Sequence, residues 1–308
     1  MPTVGIDSGQ IQSVRQVNEP MAELEFLWLE ITNRCNLQCI HCYAESAPNQ
    51  PLSEGMQFED WLKLIREGAS LGCRKVQFIG GEPTVHPRLL DLIDYARIQN
   101  FEFIEIYTNG TRLSENLCQE FRLRNVHLAV SVYGAAGPVH DKVTLRSGSF
   151  QKTIEGVKRA LTHGIPVRVG IIEMPENEGT IDASIALLRE IGVKSIQVDR
   201  LRGIGRGGNE IDPFKELCGN CWRGSLAINA SGDISPCIFS HFNSVGHADM
   251  GLKAVLENEA LTTFRSRMMA RSANDEPSKG CDPNFCSPCA PDANCNPWCN
   301  PGCNPGRN

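Results

Sequence analysis

The chain carries 14 cysteines, and their spacing is its most chemically suggestive feature. Three stand together as Cys35-x3-Cys39-x2-Cys42, and eight more follow as Cys218, Cys221, Cys237, Cys286, Cys289, Cys295, Cys299 and Cys303. Thiolates in such number hold either disulfides or metal. The first trio is one ligand short of a four-coordinate site. A 4Fe–4S cluster has four iron corners, so three protein thiolates leave one iron free for a small molecule. A zinc site lacking one ligand is the alternative that spacing alone leaves open.

Compartment bears on that choice. Residues 1–25 include Asp7, Arg15 and Glu19 and no apolar run of signal-peptide length, and nowhere is there the run of about 18 apolar residues that a membrane span needs. A chain without an export signal is expected in the cytoplasm, where disulfides are rare, so ligation is the expected use of the thiols. The net charge of −6 leaves no basic footprint for nucleic acid. At 308 residues, 41% hydrophobic and 21% charged, the chain can form one large and one small globular domain.

The elements that must position the first trio read as a regular alternation. Strands are expected at 26–31, 75–79, 102–108, 127–132, 166–172 and 195–201. Between them, helical spacing of apolar residues predicts helices at 57–70, 87–98, 114–123, 150–163 and 180–191. Ser114 is placed as an N-cap, and Gly164 and Gly192 lie where helix C-caps belong. Six strands alternating with five helices imply a parallel sheet with right-handed crossovers, whose ligands bind beyond the carboxyl ends of the strands. The three-cysteine loop, Gly80-Gly-Glu-Pro83, Thr108-Asn-Gly110 and Ser131 end strands one to four and so share one rim. The fold class is therefore α/β, with a partial six-stranded TIM-like barrel expected; periodicity leaves an open doubly wound sheet as the alternative. After Arg202-Gly-Ile-Gly-Arg-Gly-Gly208 the composition changes. A short hairpin is expected at 227–238, turning at Ser231-Gly-Asp233, and a helix near 252–269. Beyond Arg271 the chain is rich in Pro, Asn, Gly and Cys, a composition that orders only when metal ligation supplies the folding free energy.

The segment Glu30-Ile-Thr-Asn-Arg-Cys-Asn-Leu-Gln-Cys-Ile-His-Cys-Tyr43 resembles the signature of the radical S-adenosylmethionine (SAM) superfamily, and Gly80-Gly-Glu-Pro83 matches that superfamily's GGEP element. The resemblance implies a 4Fe–4S cluster on Cys35, Cys39 and Cys42 whose open iron chelates SAM. It further implies one-electron cleavage of SAM to a 5′-deoxyadenosyl radical that abstracts a substrate hydrogen. By the same resemblance Gly80, Gly81, Glu82 and Pro83 receive the SAM ammonium, His41 takes the place of an aromatic residue over the adenine, and Ser131 and Asn109 complete the SAM contacts. Thr144 departs from a pattern that often has Arg four residues after a His at 140.

The later cysteines resemble the SPASM domain: Cys221-x10-Gly232-x4-Cys237, then Cys286-x2-Cys289-x5-Cys295-x3-Cys299, with Cys303 last. A pair of zinc ribbons is the competing reading of the repeated C-x2-C. The family's partition gives auxiliary cluster one Cys218, Cys221, Cys237 and Cys299, and auxiliary cluster two Cys286, Cys289, Cys295 and Cys303, for three 4Fe–4S clusters in all. The final gap of three residues is short for the family, so Cys281 could exchange with one of these ligands. Cys281 is otherwise unassigned and is the candidate hydrogen-atom donor, as in some relatives that epimerise their substrates. The expected organisation is an N-terminal extension (1–25), a radical SAM core (26–205) and an auxiliary-cluster domain (206–308).

The implied function is hydrogen abstraction from a substrate, first of all a ribosomally made peptide to be cross-linked, oxidised or epimerised. Epimerisation or dehydrogenation of an aminosugar-type antibiotic intermediate is the second reading, and a non-catalytic iron–sulfur electron carrier the third. Sulfatase maturation is disfavoured, because Ile238 follows Cys237 where those relatives place an Asp base. The 25 residues before the first strand are expected to be too few for a leader-binding domain, so recognition would need the SPASM face or a separate partner. A flavodoxin- or ferredoxin-type protein is the implied electron donor. Tyr133, Glu173, Asp199 and Arg202, on loops after the later strands, are candidate substrate contacts, and Asp199 and Arg202 could equally pair with one another.

Overall fold

The computed structural model describes residues 24–53, 55–208, 211–218 and 224–274. Six strands lie parallel in sequence order: β1 (Phe26–Glu30), β2 (Lys75–Ile79), β3 (Phe103–Thr108), β4 (His127–Ser131), β5 (Val167–Glu173) and β6 (Ser195–Arg200). Helices α1 (Phe58–Ser70), α2 (Leu89–Ile98), α3 (Glu115–Leu123), α4 (Gly137–Thr144), α5 (Ser149–Thr162) and α6 (Ile181–Glu190) occupy the crossovers. Each new strand is added on the same side of the last, so right-handed crossovers place all these helices on one face. A doubly wound sheet needs a reversal of strand order, and none occurs here.

In-register neighbours divide the sheet into two unlike faces. Leu29, Phe78, Ile106 and Leu128 share a row and are fully buried toward the helices. The adjacent rows carry Trp28, Gln77 and Glu105, then Tyr107 and Arg168. That inner face is polar. Arg168 forks onto Glu105 at 2.7 and 2.6 Å, and the Gln77 amide donates to the same carboxylate. One cavity touches residues that follow β1 and residues that follow β6. In a flat sheet those strands would lie about 24 Å apart, at about 4.8 Å per strand, so the sheet must curl into a partial barrel.

The expected caps are present. Ser114 Oγ accepts from Leu117 N–H at 3.2 Å, and Gly164 and Gly192 take φ of 68° and 100°. Three features depart from expectation. α4 was not anticipated, because Gly137-Pro138 reads as a turn although Pro suits the first turn of a helix. The helix near 252–269 is two helices, α7 (Leu252–Leu256) and α8 (Glu259–Asn274), split where Asn258 Oδ1 caps Leu261 N–H at 2.8 Å. The hairpin is β7 (Ser225–Ile228) with β8 (Asp233–Ser235), and β7 pairs in parallel with β1, so it extends the barrel sheet. The two-residue β9 (Gly246–His247) then adds to β8. Among the described residues no helix is long and apolar enough to cross a membrane.

Candidate active site

The loop after β1 is held by backbone pairing with the loop after β2. Gly81 N–H donates to Thr32 O at 2.6 Å and Glu82 N–H to Arg34 O at 3.0 Å. Only glycine allows this approach: a Cβ on Gly81 would lie 2.3 Å from Arg34 O, and one on Gly80, at φ 127°, 2.4 Å from Thr32 O. On its far side the same loop meets the glycine-rich run after β6. Arg206 donates from Nε to Cys39 O at 2.9 Å and from Nη2 to Ser46 O at 2.7 Å, while its N–H reaches Cys42 O at 3.0 Å. The run that marked a change of composition in the sequence is therefore a brace on the cysteine loop.

Cys35, Cys39 and Cys42 line one cavity, open to solvent, together with His41, Gly80, Gly81, Asn109, Ser131, Tyr133, Asp199 and Arg202. Glu82 does not line it. Its carboxylate is fully buried and accepts from Thr84 Oγ1 at 2.6 Å, Thr84 N–H at 3.1 Å, Thr108 Oγ1 at 2.7 Å and Asn109 N–H at 2.7 Å. It thereby fastens the loop after β2 to the end of β3. Pro83 opens the short turn that follows and is buried. The Asn109 side chain bridges to the cysteine loop, donating to Asn36 Oδ1 at 2.9 Å and lying 3.8 Å from Cys35 Sγ.

Ser131 Oγ donates to Tyr107 OH at 3.2 Å. Tyr133 is buried between His41, whose ring meets it edge-on at 4.7 Å, and His140, whose Nδ1 accepts the Tyr133 N–H at 3.2 Å. Asp199 and Arg202 pair with one another at 2.8 Å; Arg202 also donates to Glu216 O and packs over Phe239 at 4.7 Å. Glu173 is exposed and lies off the cavity. Thr144 is buried, its hydroxyl bonded within its own turn to Asp141 O and Ser149 Oγ.

The thiols fit an iron–sulfur cluster. Burial, then the Glu82 charge, pushes Cys35 up to about 12, and burial with the charges of Cys35 and Cys42 raises Cys39 further. Thiols raised in this way become thiolates only beside a strong cation, and ligation to iron supplies one. Among the described residues no three His, Cys, Asp or Glu side chains close on a point where one metal ion would sit. A cubane differs, since each thiolate takes its own iron corner. His41 Nδ1 and Ser46 Oγ face the same cavity as buried polar atoms with no hydrogen-bond partner among the described residues, as a polar ligand would require. Burial, then Arg206, lowers His41 to about 4, so its imidazole is neutral.

Of the later cysteines, Cys218 is half-buried and Cys237 buried. Cys221, Cys281, Cys286, Cys289, Cys295, Cys299 and Cys303 lie outside the described residues. Cys73 and Cys118 are buried apart from the cavity, their thiols pushed up to about 12 and about 11 by burial. Sequence reasoning passed over Glu30, Tyr43 and His241. Tyr43 OH donates to Glu30 Oε1 at 2.8 Å, and His241 Nε2 lies 2.7 Å from Glu30 Oε2. The signal was available: Glu30 is the only charged residue in the otherwise apolar run Phe26–Ile31.

A family model described as the radical SAM superfamily matches residues 29–188, and one described as an iron–sulfur cluster-binding domain matches residues 216–296. The antilisterial bacteriocin subtilosin biosynthesis protein AlbA of Bacillus subtilis is 28% identical over 244 residues, 68% of this chain and 53% of that one. The mycofactocin maturase MftC of Mycobacterium ulcerans is 30% identical over 192 residues, 61% of this chain and 49% of that one. The chain thus spans about half the length of these curated relatives. Among solved structures, Streptococcus suis SuiB bound to S-adenosylmethionine superposes with a TM-score of 0.66 at 16% identity, over 80% of this chain and 68% of that one.

Proposed function

The chain belongs to the radical SAM superfamily, and we propose that it binds SAM on a cluster held by Cys35, Cys39 and Cys42 and modifies a ribosomally made peptide. The observation that carries this reading is the meeting of three thiols, the Gly80–Gly81 backbone, Asn109 and Ser131 around one cavity. Bound there, cluster and SAM would supply a one-electron cleavage giving a 5′-deoxyadenosyl radical able to take hydrogen from an unactivated carbon. The chain's own part is placement. Gly81 and Arg206 fix the cysteine loop from two sides, and Gly80, Gly81 and Asn109 border the space assigned to the amino-acid end of SAM. Neutral His41, edge-on to Tyr133, is the residue assigned to the adenine, and Ser131 to the ribose. Ile238 and Phe239, following Cys237, close the wall beside Cys42 and help exclude water.

A peptide as substrate is supported by the relatives. One is named for bacteriocin biosynthesis, one is a maturase, and SuiB has been solved bound to a precursor peptide. We assign two auxiliary 4Fe–4S clusters to the eight later cysteines and keep Cys281 as the candidate hydrogen-atom donor. Tyr133, Asp199 and Arg202 stand at the cavity wall where a substrate side chain would lie.

The test is anaerobic reconstitution with iron and sulfide, then incubation with SAM and dithionite. The wild-type chain is expected to release 5′-deoxyadenosine. A variant with Cys35, Cys39 and Cys42 all changed to Ala is expected to release none and to hold roughly a third less iron, one cluster of three. Protein that takes up zinc but no labile sulfide would overturn the reading.

A further inference from the structure

The cysteine loop carries a hydroxyl that its surroundings leave unused. Ser46 is 2% exposed, lines the same cavity as the three thiols, and its Oγ has no hydrogen-bond partner among the described residues. A hydroxyl buried in this way has lost its water and gained nothing in exchange, so it marks the place of a polar ligand. The turn that delivers it is not a relaxed one. Glu45, exposed and not glycine, takes φ 51° immediately before it.

Both chain neighbours of Ser46 are bonded to cysteines of the trio. Glu45 N–H donates to Cys42 O at 3.2 Å, and Cys35 N–H donates to Ala47 O at 3.2 Å. The carbonyl of Ser46 itself accepts from Arg206 Nη2 at 2.7 Å, and the same guanidinium donates to Cys39 O at 2.9 Å. Ser46 is therefore tied to the backbones of all three cysteines, on the side of the loop braced by Arg206. Gly80 and Gly81, which border the space assigned to the amino-acid end of SAM, meet the loop from the other side, at Thr32 and Arg34. Sulfur in this loop is already met by hydrogen-bond donors: Cys35 Sγ accepts from Leu37 N–H at 3.4 Å and lies 3.8 Å from Asn109 Nδ2.

We propose that the Ser46 hydroxyl donates a hydrogen bond to a sulfur of the cluster held by Cys35, Cys39 and Cys42, and so raises that cluster's reduction potential. The inference rests on the reading of the three cysteines as cluster ligands and adds the residue that tunes them. Hydrogen bonds to the sulfurs are among the levers that set an iron–sulfur potential. The sulfurs carry more negative charge once an electron has entered, so a fixed O–H donor favours the reduced form. No proton leaves Ser46. Its backbone is held on both sides and its hydroxyl is buried, so the donor cannot turn away to water.

The test reads the potential directly, by redox titration of the reconstituted full chain followed by electron paramagnetic resonance. The signal that disappears when Cys35, Cys39 and Cys42 are all changed to Ala belongs to this cluster. In Ser46→Ala that cluster is expected to be about tenfold harder to reduce, a midpoint about 59 mV lower for one electron, while the other signals stay in place. In deuterium oxide, electron–nuclear double resonance on the same signal should show one exchangeable-deuteron coupling fewer than in wild type. Ser46→Ala removes only a hydroxyl without a protein partner, so folding and iron content should be kept. An unchanged midpoint would overturn the proposal. So would a lowered midpoint with every exchangeable coupling retained, which would trace the shift to packing. Weaker SAM binding at an unchanged midpoint, read by equilibrium dialysis, would overturn it too, by giving the hydroxyl to SAM. A triple-alanine variant that loses no signal would instead sink the cluster reading beneath it.

Discussion

Glu82 and Glu30 end neighbouring segments of the barrel rim, both almost fully buried, and their surroundings satisfy them in opposite ways. Glu82 takes four hydrogen bonds from neutral donors, all on the loop after β2 and the end of β3. Glu30 takes one from the Tyr43 phenol and faces the His241 imidazole, so its partners come from the cysteine loop and from the segment after β8. The first carboxylate locks one cavity wall within the core. The second ties the Cys237 loop to the cysteine trio across almost the whole described chain. Burial pushes the Glu82 carboxyl up despite its donors. His241, which burial alone would lower, is instead raised by the Glu30 charge and hydrogen bond. Neutral donors suffice where a pocket is assembled from adjacent strands. Where two distant segments must be held together, the chain sets an imidazole against a carboxylate, which favours the imidazole's charged form.

The largest predicted effect breaks that pair. His241→Ala leaves Glu30 buried with only the Tyr43 hydroxyl, and removing one partner of a buried pair costs about 4 kcal/mol. Tyr43→Phe removes a single hydrogen bond to a charged group, worth about 2 kcal/mol. Denaturant unfolding under anaerobic conditions gives both values. If Tyr43→Phe proved the costlier change, the Glu30–His241 pair would not be the main strut between these segments.

The next effect sharpens the other half. Glu82→Ala leaves the Asn109 N–H without an acceptor and the Thr84 and Thr108 hydroxyls to find new ones, for about 3 kcal/mol. Glu82→Gln keeps one acceptor oxygen and should cost about 1 kcal/mol. The same unfolding measurement should be paired with SAM binding by equilibrium dialysis on the reconstituted protein. If Glu82 acts by fastening the loop, affinity should fall with stability across the two variants. Loss of SAM affinity in a Glu82→Gln protein of wild-type stability would assign the carboxylate a direct contact with SAM.

The contrast also explains which parts of the molecule the sequence revealed. The first four strands were legible because both sheet faces are largely buried there, and a run such as Lys75–Ile79 has few alternatives to a central parallel strand. The cysteine trio and Gly80–Gly81 were legible because their spacing is chemistry in itself. The pairing of β7 with β1 was not, since nothing local in Ser225–Ile228 says which edge it will join. Nor was Arg206, whose value lies in reaching Cys39 O and Ser46 O, 167 and 160 residues away. Asp199 and Arg202 were found, but only the structure shows them bonded to one another at 2.8 Å.

The smallest effect is a dependence on pH, and it separates the two regions by sign. An unfolded histidine titrates near 6.5. His241 titrates above that value in the folded chain, so its contribution is fully present below 6.5 and fades as pH rises through the raised value. His140, lowered by burial to about 4, behaves in reverse, as does His41: their contribution is present above 6.5 and fades as pH falls toward 4. Folding free energy against pH should therefore decline on both flanks, for different reasons. His241→Gln is expected to flatten the alkaline flank while leaving the acid flank, because its loop meets the barrel through Glu30 and not through the cavity histidines. His140→Gln should reduce the acid flank alone. An alkaline flank unchanged in His241→Gln would mean that Glu30 and His241 meet as a neutral hydrogen-bonded pair. The distinction between a core locked by neutral donors and a C-terminal segment locked by charge would then fall.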